Sequence, residues 1–588
     1  MKCFFVLFVQ GLLFFHFCTA QTGIKYKYWN PATDTQNVLE GRGWPGTGAA
    51  FYNRLPAAAE QLVRREVWDL SRNSAGLQLR FHTNAREITI KYTVGGALQL
   101  YHMPATGVSG LDLYSRTING SWVWAAGKLT LGDTLVYRFT NLAGNDEHVN
   151  NREYFLYLPL YNTVKWMELS VPEESVFQPL AVRKEKPVLV YGTSIAQGAC
   201  ASRPGLAWTN ILSRKLDRPV VNLGFSGNGR LEKEVMDLIA SVDARIYVLD
   251  CLPNLVGSYA ENGELKKRLI ASVSMLQQKR PGVPVLLAAH DGYTDEGINA
   301  VRKKDYQAAN TILQQVFDSL VAAGVKNIFL LPKEAIGQDI ESMVDGVHPN
   351  DIGMMHYADA FNTAIRAILQ ETGGTITTTI PVTQRRDANT YDWETRHNAV
   401  LAYNRAHPPA TVFIGNSITH FWGGEPASPR VNGKNAWDKY FGQQQVLNMG
   451  FGWDRIENVL WRVYHGELDS IAPRQLVLMI GTNNLQYNTD QEIADGLQFL
   501  IKAIRTRQPL ASILVMGIFP RRKMEERVVA VNKLIAKMAA GLQIEYADAG
   551  ALLLQKDKKI DESLFSDGLH PNEAGYDKLG SFIARRLK

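Results

Sequence analysis

Two phrases in this chain repeat one pattern of reactive residues: VDGVHPNDIGM at 344–354 and SDGLHPNEAGY at 566–576. Each sets a carboxylate three residues before an imidazole, Asp345 with His348 and Asp567 with His570. Upstream of each stands a Gly-x-Ser, VYGTSIAQG with Ser194 and FIGNSITHF with Ser417. Serine and histidine are 154 residues apart in the first set and 153 in the second. A serine hydroxyl becomes a useful nucleophile when an imidazole takes its proton, and the imidazole works best when a carboxylate orients it. The chemistry implied is acyl transfer through a serine ester, encoded twice. The Pro-Asn that follows each histidine has a plainer explanation. Asn350 and Asn572 suit helix N-caps, with Asp351 and Glu573 in the favourable first turn. Apolar stripes follow, Ala358, Phe361, Ile365 and Ile368 in one helix and Tyr576, Leu579, Ile583 and Leu587 in the other. Helix initiation does not explain an Asp-x-x-His before the cap in both places.

Such groups need elements to hold them together. From residue 185 the sequence alternates continuous apolar runs (EKPVLVYG, RIYVLD, VPVLLAAH, NIFLLP) with amphipathic stretches such as YQAANTILQQVFDSLVAAG. Apolar runs of this kind are strands buried on both faces, so the pattern predicts a parallel sheet with crossover helices. It stops near Gly374 and restarts with ATVFIG, QLVLMIG, SILVMGIFP and IEYADAG. In open parallel sheets reacting groups gather beyond the carboxyl ends of the strands, which is where both serines stand. Before residue 180 the pattern is different. LQLRFHT, EITIKYTV, TLVYRFTNL and KWMELSV alternate with period two between turn residues, as in an antiparallel β-sandwich. The chain therefore reads as multidomain: a β-sandwich at 21–180, one three-layer α/β domain at 181–374, a linker at 375–394 and a second α/β domain at 395–588.

Both α/β regions resemble the SGNH (GDSL-type) hydrolases, which implies a flavodoxin-like fold. The second copy resembles the brain-type platelet-activating-factor acetylhydrolases through FIGNSITHFW, NMGFGWDRIENVLWRVYHGELD, IGTNN and SDGLHPNEAGY. The first resembles an SGNH subgroup that carries a β-sandwich ahead of the catalytic domain. The resemblance implies an oxyanion hole built from the serine N–H, a backbone N–H of the second block and an asparagine of the third. Carried over, these are Gly227 and Asn254 in the first copy, and Gly452 or Trp453 with Asn483 in the second. Three departures stand out. Trp453 occupies the place of a glycine, the third block of the first copy (VLDCLPN) has Asp250 where a glycine is expected, and Thr193 and Asn416 replace the usual aspartate before serine. In this fold the loops carrying Cys200 and Cys251 are neighbours, so a disulfide across the rim of the first site is one expectation and two buried thiols the other.

The rest of the sequence sets bounds. At 588 residues the chain is long enough for about three or four domains. A net charge of +6 over that length, without long basic runs, gives no support to nucleic-acid binding. MKCFFVLFVQGLLFFHFCTA reads as a signal peptide cleaved after Ala20, with no lipobox. No later run suits a membrane span, so the expectation is a secreted or periplasmic protein without membrane insertion. No zinc, phosphate or calcium motif is present, and neither cofactor nor metal is expected. His290 reads as a structural histidine, with substrate contact at the rim as the alternative, and Arg203 as a solvated loop residue, with pairing to an anionic substrate group as the alternative. For His420 with Trp422, lining an acyl or leaving-group pocket and packing under the loop stand as equal readings. The functional expectation is a two-headed serine esterase acting on short acyl esters, acetyl above all, carried by a small molecule or a glycan. A lipid acyl hydrolase is the first alternative and a glycan-binding protein with inactive sites the second. Oligomeric state is left open.

Overall fold

In the computed structural model, which describes residues 24–46, 50–142 and 152–587, the amino-terminal region forms two antiparallel sheets. The signal peptide expected at 1–20 lies outside the described residues. One sheet runs Tyr26–Trp29, Val164–Pro172, Glu87–Val94, Leu135–Thr140 and Lys128–Thr130. The other runs Phe177–Pro179, Gln78–Thr83, Arg152–Tyr157, Asp112–Arg116 and Trp122–Ala125, with Leu39–Glu40 added beside Gln78–Thr83. Alternation along the strands sends Leu79, Phe81, Ile88, Ile90, Tyr92, Leu113, Leu156, Met167 and Leu169 into one shared core. Each such side chain contributes about 1.5–3 kcal/mol by leaving water.

Two parallel sheets follow. The first is built from Val188–Gly192, Val220–Gly224, Ile246–Asp250, Val285–Ala288 and Ile328–Leu331. The second is built from Thr411–Gly415, Val446–Gly450, Gln475–Met479, Ser512–Met516 and Glu545–Ala547. Numbered in chain order, both have spatial order 2-1-3-4-5, the flavodoxin-like winding. Helices cover both faces of each sheet, giving two apolar layers per domain. Winding reverses between the first and third strands, and the loops after these strands therefore face each other across a crevice.

Residues 375–394, expected as a linker, join the two α/β domains, and parts of the segment are packed against the rest of the molecule. Thr378, Thr379, Thr383 and Gln384 are buried. Thr378 Oγ1 donates to the Glu492 carbonyl (2.9 Å), Asn458 Nδ2 to the Val382 carbonyl (2.8 Å) and Arg385 N–H to the Ile118 carbonyl (2.8 Å). Its buried polar groups spend their hydrogen bonds on the sandwich and the second α/β domain, while residues 388–390 face solvent. A buried ionic junction lies nearby. The Asp217 carboxylate pairs with Arg116 from the sandwich and accepts from Trp461 Nε1 of the second α/β domain (2.9 Å).

Candidate active sites

Each serine opens a one-turn helix directly after the first strand of its sheet, Ser194–Gln197 and Ser417–His420. The residue before it is the N-cap: Thr193 Oγ1 accepts from Ile195 N–H (3.3 Å) and Asn416 Oδ1 from Ile418 N–H (2.9 Å). Both departures from aspartate thus keep a capping acceptor. Each serine turn is also clamped to the second strand. Asn222 Nδ2 donates to the Ala196 carbonyl and Asn448 Nδ2 to the Thr419 carbonyl, both at 2.7 Å. Glycine is required at the contact, because a Cβ on Gly224 would lie 2.1 Å from Gln197 N and one on Gly450 2.2 Å from His420 N.

The Asp-Gly-x-His loops fold identically. Asp345 Oδ1 accepts from Val347 N–H (3.1 Å) and His348 N–H (2.8 Å), and Oδ2 lies 2.8 Å from His348 Nδ1. The second loop has Asp567 Oδ1 on Leu569 N–H (3.0 Å) and His570 N–H (2.8 Å), with Oδ2 2.7 Å from His570 Nδ1. The glycine after each aspartate, Gly346 at φ +80° and Gly568 at φ +81°, supplies the left-handed turn that brings those amides round. Asn350 and Asn572 then cap the helices Asp351–Ile368 and Glu573–Ala584. Across the crevice Ser194 Oγ lies 2.9 Å from His348 Nε2, and Ser417 Oγ 2.8 Å from His570 Nε2. Both trios of residues are therefore brought together. The hydrogen bonds from the loop and imidazole hold both carboxyls below the usual aspartate range, against their partial burial. Burial lowers the His570 pKa below the ordinary histidine value, opposed by Asp567.

The second blocks align by strand register. Gly224 and Gly450 pair with Gly192 and Gly415, so Gly227 and Trp453 are equivalent, each three residues further on. Both adopt left-handed backbone, φ +69° and +63°. For tryptophan this costs about 1–3 kcal/mol. It is held there because its carbonyl accepts from Arg386 Nη2 (2.9 Å), a residue of the packed 375–394 segment. The Gly452 N–H is already spent on His420 Nδ1 (3.2 Å), which leaves Trp453 as the oxyanion candidate of the pair. In the first copy Ser226 N–H donates in the same way to Gln197 Oε1 (3.0 Å). Gln197 and His420 each stand three residues after their serine and play one part: an acceptor that fixes the turn. Burial beside Arg396 and Arg462 pushes the His420 pKa down to about 2, so the ring stays neutral and keeps that acceptor.

In the third blocks Asp250 pairs with Gly192 and Met479 with Gly415, so Asn254 and Asn483, four residues on, are equivalent. This register corrects one expectation. Leu252, not Asp250, stands where the second copy has Gly481. Asn254 Oδ1 accepts from Gly229 N–H (3.0 Å), which orients its amide and leaves the NH₂ to donate. Asn483 Nδ2 gives one proton to the Asp454 carbonyl (3.0 Å) and keeps the other.

Of the two expectations for the cysteines, the structure has the buried thiols: Cys200 and Cys251 are free and buried. Their side chains enter different layers. Cys200 packs with Met103, Val108 and Ala199, and Cys251 points into the core on one face of the first sheet, its thiol 3.5 Å from the Tyr191 carbonyl. Burial pushes the Cys200 thiol up to about 12. His290 is structural, accepting from Gly292 N–H at 2.9 Å. Arg203 pairs with Asp112 (2.5 Å) and Tyr114 of the sandwich rather than facing a substrate.

Other residues at these sites carry no sequence motif. His102, from the sandwich, sets its ring 5.6 Å from that of His348, with the exposed Tyr101 ring tilted against it at 4.2 Å. At the second site the Phe421 ring lies 5.2 Å from His570 and under the Arg430 guanidinium, which also approaches Asp567 at 3.8 Å. Asp387, from the packed segment, lies against Gly452 and close enough to His570 to bias its charge.

The fold and this geometry define an ester hydrolase of the serine type. Family models agree: the "GDSL-like Lipase/Acylhydrolase family" matches residues 185–366 and, through a second model, 413–578. The "N-terminus of Esterase_SGNH_hydro-type" matches residues 26–177. The human protein named platelet-activating factor acetylhydrolase IB subunit alpha2 is 30% identical over 194 residues, 32% of this chain and 80% of that one. The bovine IB subunit alpha1 is 29% identical over 189 residues, covering 31% and 77%. Among solved structures, a putative GDSL-like lipase from Bacteroides ovatus superposes with a TM-score of 0.54 at 31% identity, covering 59% of this chain and 98% of its own. The chain belongs to the GDSL-like lipase/acylhydrolase (SGNH) family and carries two copies of its hydrolase domain in tandem behind the esterase-type amino-terminal domain.

Proposed function

We propose that the protein is an exported esterase with two working active sites, each removing short acyl groups, acetyl above all, from carbohydrate. The observation that carries this reading is the duplicated contact: two serine hydroxyls, each within 3 Å of an imidazole whose other nitrogen is held by an aspartate. Serine Oγ attacks the acyl carbonyl as its proton passes to histidine Nε2. The oxyanion is met by the serine N–H, by Gly227 or Trp453 N–H, and by the amide of Asn254 or Asn483. Collapse expels the alcohol, which takes the proton from the imidazolium, and the acyl group remains on serine. Water then attacks the ester, giving its proton to the same nitrogen, and the imidazolium returns a proton to serine Oγ as the carboxylic acid leaves. Aspartate holds one tautomer throughout and stabilises the imidazolium.

Two features favour a small acyl group on a polar alcohol over a long lipid chain. The second site is bordered by charged groups, Asp387, Arg430 and Arg521, of which the last donates to the Thr482 carbonyl (3.2 Å). Each site also has an exposed aromatic ring at its edge, Tyr101 or Trp453, offering a flat apolar surface beside hydrogen-bonding groups. The test is acetate release from a panel of acetylated glycans by the wild type and by Ser194→Ala and Ser417→Ala, with p-nitrophenyl acetate and octanoate in parallel. The reading expects acetate release by both single variants and acetate preferred over octanoate. Strong preference for octanoate, with no glycan deacetylated, contradicts it.

A further inference from the structure

The first site contains a group of side chains that the hydrolytic reaction does not use. His102, Cys200 and His348 come from three distant stretches of chain, yet one donor atom of each lies within 4.8 Å of the other two. It is the only such trio of histidine, cysteine or carboxylate groups found among the described residues. His102 is carried by the sandwich, in the tight loop closed by the Leu100–Met103 bridge. Its Nδ1 is shut off from solvent and has no hydrogen-bond partner. Cys200 is a free thiol, and its backbone holds φ +70°, a conformation a non-glycine residue adopts only when its surroundings enforce it. His348 has Nδ1 committed to Asp345 and offers Nε2.

Two imidazoles and one thiol are a borderline-soft donor set, suited to Zn²⁺ rather than to Mg²⁺ or Ca²⁺. Zn–S and Zn–N bonds of about 2.3 and 2.0–2.1 Å set tetrahedral donors about 3.3–3.6 Å apart, so the three must draw together by no more than about 1.5 Å. A fourth position is left for water or a substrate oxygen. We propose that His102, Cys200 and His348 form a three-ligand site for a divalent ion of the zinc type, and that the occupied site switches the first hydrolase domain off. On binding, the Cys200 thiol loses its proton to solvent and sulfur bonds to the metal. The His348 Nε2 lone pair bonds to the metal as well and can no longer accept the proton of Ser194. Among its described residues the second domain has no equivalent. Gly423 occupies the position six residues after Ser417 that Cys200 occupies after Ser194. Zinc therefore separates the two heads of one chain. The switching half rests on the proposed role of Ser194; the binding half does not.

The experiment uses the untagged full chain and two readouts. Co²⁺ is titrated first, and the cobalt–thiolate charge-transfer absorption is followed in wild type, Cys200→Ser and His102→Ala. A fluorophosphonate probe is then applied with and without Zn²⁺, and labelled peptides are quantified at Ser194 and Ser417. One charge-transfer site per chain is expected, lost in Cys200→Ser and weakened about tenfold or more in His102→Ala. Zinc should suppress labelling at Ser194 by about tenfold or more, leave Ser417 unchanged, and lose its effect in both variants. Ser194 labelling retained without Zn²⁺ certifies that the first domain of a variant is folded. Absence of the band, its persistence in Cys200→Ser, or equal suppression at both serines overturns the proposal. Failure of Ser194 to label without metal refutes its nucleophilic role instead, and the cobalt band still decides the site.

Discussion

Replacing the triad aspartate by asparagine isolates the part of each site that is purely electronic. In Asp567→Asn the side-chain carbonyl can keep both bonds that shape the loop, from Leu569 N–H and His570 N–H. The amide NH₂ then takes the place of Oδ2, 2.7 Å from His570 Nδ1. Two donors cannot share that contact. The imidazole must turn its Nδ1 lone pair toward the amide and carry its proton on Nε2, opposite Ser417 Oγ. Serine then faces a donor instead of a base. Loss of the correct tautomer costs a triad about 10⁴-fold in kcat. At about 1.36 kcal/mol per decade that is about 5.4 kcal/mol of barrier. Asp345→Asn should cost the same, since its loop makes the same three contacts. The assay is turnover of p-nitrophenyl acetate by Asp567→Asn in a Ser194→Ala background and by Asp345→Asn in a Ser417→Ala background, with thermal melting alongside. The expected result is loss of turnover with nearly unchanged melting. A variant that keeps activity within about tenfold of its parent would refute the orienting role.

Three further outcomes are expected. Burial lowers the pKa of His570, which Asp567 and Asp387 oppose and Arg430 reinforces. The base is therefore neutral at pH 7, and kcat/KM of Ser194→Ala should fall with acidification through a midpoint below the ordinary ~6.5; a midpoint above it contradicts this. Asn254→Ala and Asn483→Ala should each lower kcat at their own site by about 10²–10³-fold with KM little changed, as removal of one oxyanion donor does, and parity with the parent enzyme refutes the assignment. His420→Gln should preserve turnover at the second site, since glutamine serves in that place at Gln197. His420→Leu should lose turnover and about 1–3 kcal/mol of stability by orphaning the Gly452 N–H, and equal behaviour of the two variants refutes the shared role.

The reacting groups were legible because their chemistry is particular and their spacing recurs: few other reasons produce Gly-x-Ser and Asp-x-x-His twice at matched separation. Both sheets were legible for the same physical reason that makes them stable, since strands buried on both faces must be apolar throughout. What escaped depends on three-dimensional register or on a partner far along the chain. Gln197 and His420 share only a lone pair, so no pattern of residue types links them. Assigning Asp250 to the place of a glycine misjudged by two residues where the third strand ends. Residues 375–394 look solvated because they are polar, yet Gln384, Arg385 and Arg386 are spent inside the molecule, where they brace the turn that holds Trp453. Cys200 and Cys251 follow neighbouring strands, but sequence does not say which side of the sheet a thiol enters. His102 belongs to a different domain from the triad it touches, which is why no metal-like spacing exists along the chain.

The most direct measurement is active-site labelling of the full chain with a fluorophosphonate, read as modified peptides in wild type, His348→Ala and His570→Ala. Two independent serine nucleophiles predict modification at both Ser194 and Ser417, with each histidine variant silencing only the serine 2.9 or 2.8 Å away from it. Modification at neither serine, or labelling that survives loss of its histidine, contradicts a pair of histidine-activated esterase sites.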